Sequence, residues 1–563
     1  MKKAIPVIIA IVLIILIGGV YVGTRFLERY SYSKEYADLN EYYALNGEEE
    51  TAVILQDEII PEKALLRDGV YYFDYETVHK YFNDRFYEDS TEGLLLYTTP
   101  TDTIRTEIGS STYIKEGTPV EEGYILSLYE GETLYIAAEY VKNYCNFSYS
   151  AFTGPNRMQV YTQWGEERTA QIEKDTAIRY QGGVKSDILK KVSKGDSVTV
   201  LETMEKWSKV KTEDAVIGYV ENKRLSEETV AERIPVTDYT EPEYTSLTRD
   251  YKINLAWHQV WSEDANSSLM DMLAPTKGVN VISPTWFSLS DNQGGFTNIA
   301  SSTYVQQAHD MGLEVWALID NFSTEINTKT ILSSTTTRTR LIGNLVQTVK
   351  DYDIDGINID FEQVSMDAGE DYIQFIRELS VVCRREGIVL SVDNYVPTGY
   401  TNHYNRKEQG LFADYVIIMG YDEYYSGSET AGPVASIGFV ADGIADTVAV
   451  VPENKVINAI PFFTRIWKSE GGSLSCEAVS MDAAAQFIAN NGIETYWNEK
   501  TGHNYGEIQI GDVFYQVWLE DIQALEEKIG AMGNYKLGGI AEWKLGLENA
   551  EAWNLIENYM KEE

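Results

Sequence analysis

The chain has 563 residues, 44% of them hydrophobic and 24% charged, a balance that excludes a disordered acidic tail and a disulfide-stapled miniprotein. At roughly 150 residues per domain, that length predicts three or four units. The formal net charge is −41 and no basic stripe interrupts it, so nothing is available to displace counterions from a phosphate backbone and nucleic-acid binding is excluded. Cys145, Cys383 and Cys476 are odd in number and form no C-x-x-C pair, and the five His residues fall in no ligand spacing. No disulfide framework, metal or other cofactor is expected.

In chain order, residues 4–23 come first. They are nearly all Ile, Val, Leu, Ala and Gly, and they meet the length of about 20 residues needed to cross a bilayer core. Lys2 and Lys3 bias the N-terminus to the cytoplasm, which places the remainder outside the cell as a single-pass membrane protein. A cleaved signal peptide, giving a secreted chain, is the rival reading.

Residues 35–150 carry an internal repeat. Val70 to Asn83 and Thr133 to Asn146 share Tyr72/Tyr135, Glu76/Glu139, Val78/Val141, Tyr81/Tyr144 and Asn83/Asn146 in register. Each copy predicts a short strand running into a helix, so the region reads as an α+β module. The pattern resembles the N-terminal domain of copper amine oxidases, without copper chemistry. Residues 157–225 then alternate apolar and polar positions, as in Ile188 to Leu201 and Trp207 to Thr212, with Lys194-Gly195-Asp196 as a turn. These predict a small antiparallel barrel with Trp207 in its core. The region resembles a bacterial SH3-like domain, a module frequent on cell-wall hydrolases. Residues 226–250 are polar and acidic and read as a linker.

From 251 to 560, apolar runs alternate with helical patterns. The runs are Ile253 to Trp257, Gly278 to Ser283, Leu313 to Ile319, Gly356 to Phe361, Ile388 to Val392, Tyr415 to Met419, Lys455 to Pro461 and Leu537 to Trp543. Eight strands separated by helices predict an α/β fold, a (β/α)8 TIM barrel, with a small insertion at 467–516. A doubly wound sheet is the alternative.

The fourth run carries the chemistry. On a strand, Asn358, Asp360 and Glu362 share one face while Ile357, Ile359 and Phe361 share the other. In a barrel the polar set points inward and climbs to the C-terminal mouth, where such barrels place catalysis. Crowding of carboxylates disfavours ionisation, so Glu362 is expected to stay protonated near neutral pH and to act as a general acid.

Ile354-Asp355-Gly356-Ile357-Asn358-Ile359-Asp360-Phe361-Glu362 resembles the active-site signature of glycoside hydrolase family 18, the chitinase-like enzymes. The resemblance implies that Glu362 protonates the leaving oxygen and that the substrate's own 2-acetamido carbonyl is the nucleophile. It implies further that Asp360 orients that acetamido group. Met419-Gly420-Tyr421-Asp422 resembles the sixth-strand motif of the family, in which the tyrosine bonds the acetamido carbonyl, and Trp543 stands where a tryptophan floors the sugar subsite. Glu362, Asp360 and Tyr421 are therefore the catalytic candidates. Asn358, Asp355, Asp422, Trp543, Arg465 and Trp286 are the candidates for substrate contact. Asn358 replaces an aspartate common in chitinases and removes one charge partner of Asp360.

Segments Lys455 to Trp467, Val517 to Asp521 and Leu537 to Gly546 are similar to the branch of bacterial spore-cortex and cell-wall N-acetylglucosaminidases. The expectation is a glycosidase acting after N-acetylglucosamine in peptidoglycan or a chitin-like glycan. With so acidic a chain, affinity for that polysaccharide must come from hydrogen bonds and aromatic stacking. The alternatives are a lectin-like binder and a wall sensor or scaffold.

Overall fold

The computed structural model describes residues 5–235 and 237–561, which leaves Lys2, Lys3 and Ala4 outside the described residues. The first element is a helix, Ile5–Tyr30, which runs on past Gly23. Its stretch Val7–Tyr30 is long and apolar enough to cross a membrane, and none of its most apolar window is buried by protein.

The chain separates into two compact units. In the first, the two repeat strands Val70–Asp74 and Thr133–Ala137 lie side by side in one seven-stranded sheet, antiparallel, with Phe73 opposite Ile136. Each runs into a short helix, Tyr75–Tyr81 and Ala138–Lys142. Asp74 caps the first by accepting from the Thr77 N–H, and Asn83 Nδ2 donates to the Tyr144 carbonyl to join the two copies.

A second seven-stranded sheet in this unit holds Ile188–Val192, Ser197–Thr203, Trp207–Thr212 and Ile217–Glu221. Its core is small and aliphatic, built on Ile172, Ile178, Val198, Val210 and Val220. Trp207 is not part of it. The indole is half-exposed and lies against Gly182, where a Cβ would approach it to 3.3 Å. The predicted linker is also partly structured, because Thr229–Arg233 pairs antiparallel with Gly165–Gln171 along the sheet edge. Unpaired backbone groups on that edge strand find partners in a segment whose side chains alone read as polar.

The second unit contains the barrel. Its strands are β1 (Ile253–His258), β2 (Val281–Leu289), β3 (Glu314–Asp320), β4 (Gly356–Asp360), β5 (Val389–Tyr395), β6 (Tyr415–Met419), β7 (Val456–Pro461) and β8 (Gly539–Trp543). All are parallel to their neighbours, and β1 pairs with both β2 and β8, which closes the sheet and excludes the doubly wound alternative. Closure needs Gly539, where a Cβ would sit 2.0 Å from the Ile253 carbonyl oxygen. Inward side chains such as Leu255, Trp257, Leu318 and Ala541 fill the interior. Outward ones such as Ile282, Ile357, Ile418 and Ile540 pack under the helices, the two-sided burial expected of parallel strands.

The insertion spans Phe463–Glu470 to Val513–Leu519, slightly wider than predicted, and forms a five-stranded sheet with a helix, Met481–Asn490. A further segment, Tyr87–Arg105, belongs to the same compact unit as the barrel although it lies far from it in sequence. It covers the helices α1 (Thr335–Tyr352) and α2 (Gly369–Glu386). Asp89 and Glu92 accept from the backbone N–H groups of Thr335 and Thr336 at the start of α1, satisfying donors that a helix N-terminus leaves open.

Candidate active site

The alternation along β4 is as read from the sequence. Ile357 and Ile359 face the helices, while Asn358 and Asp360 face the interior. Phe361 stacks on Phe375 of α2, with ring centroids 5.6 Å apart and planes 7° apart, and this pins the end of the strand. Gln363 follows with φ +52°, a left-handed conformation that costs a non-glycine residue about 1–2 kcal/mol and turns the chain directly after Glu362.

Glu362 is held from two sides. Its N–H donates to Asn321 Oδ1 at 2.9 Å, and Asn321 Nδ2 donates back to its carbonyl at 2.8 Å, so one side-chain amide from the loop after β3 fixes its backbone. The Tyr395 hydroxyl, at the end of β5, donates to Glu362 Oε2 at 2.6 Å. Burial raises the Glu362 carboxyl above the ordinary glutamate range, and the charges of Asp422 and Asp320 push the same way against the Tyr395 bond.

Asp360 is buried, and its Oδ1 has no hydrogen-bond partner among the described residues. Burial raises its carboxyl far above the usual range, helped by Asp393, Glu362 and Asp320. Asp393 on β5 is raised in the same way, first by burial, while an Asn358 N–H at 2.8 Å acts against it. The charge of Asp393 thus disfavours ionisation of Asp360, as two neighbouring buried carboxyls do not both ionise cheaply. Tyr421, half-buried just beyond β6, has its hydroxyl raised by burial and then by the charges of Asp360, Asp393 and Glu362.

A cavity of about 350 Å³ opens beside these groups, with Asp360 and Trp543 in its wall together with Gln259, Trp261, Asp320 and Phe322. Trp543 packs edge-to-face on the inward Trp257, 5.8 Å between centroids. Asp320 accepts from Ser288 Oγ at 2.7 Å and is raised by burial.

The family model for glycosyl hydrolases family 18 matches residues 252–548, and the one for the bacterial SH3 domain matches residues 174–226. The chain belongs to glycosyl hydrolase family 18.

Among curated relatives, the chain is 27% identical over 250 residues to the cortical fragment-lytic enzyme of Bacillus anthracis, covering 42% of this chain and 57% of that enzyme. It is 26% identical over 271 residues to the cortical fragment-lytic enzyme of Bacillus subtilis (strain 168), covering 46% of this chain and 62% of that one. The chain thus spans less than two thirds of the length of these enzymes. The crystal structure of a chitinase from Chromobacterium violaceum ATCC 12472 superposes with a TM-score of 0.50 at 22% identity, covering 55% of this chain and 100% of the other, a likeness of fold.

Within the family-18 barrel, the other predicted contact residues divide. Asp422 and Arg465 come together, with Arg465 Nη2 donating to Asp422 Oδ1 at 2.6 Å. Asn358 does not reach the cavity. It is fully buried, its Oδ1 accepts from Trp257 Nε1 and Ser283 Oγ, and its Nδ2 donates to Ser391 Oγ and Asp393 Oδ1. All four of its hydrogen-bonding positions are therefore used inside the barrel, and its place is beneath the site as a positioning residue for Asp393.

Asp355 lies at the opposite end of β4, where it accepts from the Val315 N–H at 2.8 Å and bonds His309 Nε2 at 2.9 Å. Five residues of extended chain, roughly 16 Å, separate it from Asp360, so it closes the bottom of the barrel. Trp286 does lie in the wall of the cavity, with a mostly buried ring. A register shift in β2 between Thr285 and Phe287 breaks the alternation, and the buried indole donates to Asn266 Oδ1 at 2.7 Å and packs on Tyr304.

Sequence reasoning missed Asn321, Tyr395, Asp393 and Asp320. The available signal was position. Asp320-Asn321 directly follows the third run and Asp393-Asn394-Tyr395 the fifth, and polar residues at the C-terminal ends of barrel strands mark the functional face.

Proposed function

We propose that this chain is a glycoside hydrolase that cuts β-1,4 bonds after N-acetylglucosamine in peptidoglycan or a chitin-like glycan, with retention at the anomeric carbon. One observation carries the reading: the Glu362 carboxyl, biased toward its protonated form, is fixed at the barrel mouth beside the buried, partnerless oxygen of Asp360. Glu362 gives its proton to the glycosidic oxygen as the bond to the anomeric carbon breaks. The acetamido carbonyl oxygen of the same sugar bonds to that carbon. Asp360 takes charge opposite the acetamido group, with Asp393 holding the proton they share, and the Tyr421 hydroxyl bonds the carbonyl side. Water then attacks the anomeric carbon, giving a proton to the Glu362 carboxylate, and the bond from that carbon to the acetamido oxygen breaks, which restores the acetamido group. Relatives named for cortical fragments and the SH3 module support wall glycan as the polymer.

The test is turnover of chemically matched substrates. N-acetylated chito-oligosaccharides and peptidoglycan strands release reducing ends, and their de-N-acetylated forms, lacking the nucleophile, do not. Equal turnover of both, or a glycosyl group trapped covalently on a carboxylate, would overturn the mechanism. No new reducing ends from any glycan would leave the lectin reading.

We propose also that the Ile5–Tyr30 helix anchors the protein with both compact units outside the cell. Protease added to wall-free cells then removes the barrel, and the full chain fractionates with membranes. A shortened chain in the medium would point instead to a cleaved signal.

A further inference from the structure

A cation stands at the edge of the cavity with no acidic partner among the described residues. Lys544 directly follows Trp543 and is half-buried. Its Nζ donates to the Gln259 side-chain carbonyl and lies 5.5 Å from the centroid of the Trp261 ring. Gln259 and Trp261 both form the wall of the cavity that contains Asp360, so the two groups that hold the ammonium are themselves in position to face a bound sugar. Trp261 is 74% exposed.

Among the described residues no carboxylate forms an ion pair with Lys544, in a chain with 87 acidic and 46 basic side chains. The other cation near the mouth, Arg465, is engaged by Asp422. A half-buried ammonium held by a neutral amide and an aromatic ring carries a desolvation cost that these two contacts offset only in part, with no opposing charge among the described residues. Burial accordingly lowers the Lys544 pKa with no opposing acid, and His258 is pushed down to about 4, first by its own burial and then by the Lys544 charge. The chain as a whole is strongly acidic, with a formal net charge of −41, so an anionic glycan approaching this mouth is repelled unless a positive group meets it.

Resting on the glycosidase reading above, we propose that Lys544, presented by Gln259 and Trp261, is a specificity-determining residue that receives a carboxylate carried on the sugar chain. Two sources share that chemistry in peptidoglycan: the free lactyl carboxylate of an N-acetylmuramic-acid unit and the carboxylates of a peptide attached there. A chitin-like glycan has neither. Lys544 therefore selects wall glycan over neutral polymers.

The experiment measures binding by the full-length, detergent-solubilised Glu362→Gln protein, which cannot consume its ligand. Three ligands of equal length are compared: peptide-free strands with free lactyl groups, strands with peptides attached, and neutral chito-oligosaccharides. The expected result is a preference of about tenfold for one of the anionic ligands over the neutral one, weakened in 0.5 M salt by screening. Whichever of the two is preferred identifies the source. Adding Lys544→Gln brings the preference to within twofold of unity, and Lys544→Arg restores it. Absence of preference in the starting protein, survival of the preference in Lys544→Gln, or an equal loss for charged and neutral ligands would each overturn the assignment. Selective binding in a protein whose parent releases no reducing ends would sink the glycosidase reading and leave this site standing.

Discussion

Replacing Glu362 by Gln is expected to lower kcat on N-acetylated oligosaccharides by about a thousandfold, within the range for loss of a general acid, while glycan affinity changes little. Gln keeps the shape of the side chain and still bonds the Tyr395 hydroxyl, but it has no proton of suitable acidity for the leaving oxygen. Only the transition state loses an interaction, so the loss falls on kcat and not on KM. Activity within tenfold of the parent would remove Glu362 from its role.

The same substitution has a stability signature. Because the Glu362 carboxyl is raised in the folded protein, the native state holds that proton more tightly than the unfolded chain. The stability it contributes is complete below the ordinary glutamate range and is lost as pH rises through the folded value. Gln never ionises, so the variant melts no lower than the parent at neutral pH. The activity of the parent falls on the alkaline side as Glu362 loses its proton.

The second large effect is on folding. Arg338 on α1 is fully buried, and its Nε and Nη2 each donate to a Glu378 oxygen on α2 at 3.0 Å. Nη1 donates to the Leu332 carbonyl at 2.6 Å and to the Tyr87 hydroxyl at 3.2 Å. Tyr87 in turn donates to Asp371 at 2.6 Å. Among the described residues, Arg338→Met leaves the buried Glu378 with only a Gln374 amide as donor, and breaking such a pair costs about 3–5 kcal/mol. For a unit of this size the melting temperature should fall by on the order of 10 °C. Arg338→Met/Glu378→Met, which removes both charges, should recover more than half of the loss. A single variant melting within two degrees of the parent, or a double variant worse than the single, would show that the pair does not hold α1 to α2. The same geometry predicts that a barrel truncated at residue 251, lacking Tyr87, Asp89 and Glu92, is less stable than one that retains them.

The parts of this protein legible in its sequence are those that depend on near neighbours. Strand alternation sorted Asn358, Asp360 and Glu362 from Ile357, Ile359 and Phe361 because side-chain direction follows from local backbone geometry. The eight apolar runs predicted the barrel strands, and the repeat predicted its two strand-to-helix units, for the same reason. What alternation does not report is height along the barrel or the effect of a register shift. Asp355 and Asp360 share one motif but lie at opposite ends of β4, and the register of β2 shifts between Thr285 and Phe287, beside Trp286 in the cavity wall. Only the folded chain decided which groups surround Glu362. Asn321, Tyr395 and Asp393 arrive from other strands, and their contacts depend on barrel closure, not on spacing in sequence. The cover over α1 and α2 is a stronger case, since Tyr87 meets Arg338 across 251 positions. Sequence by itself determined which residue types could do the chemistry. Tertiary structure decided which carboxyls are buried together, and therefore which hold a proton, because the free energy of ionisation depends on every charge and dipole within a few ångströms and not on the residue alone.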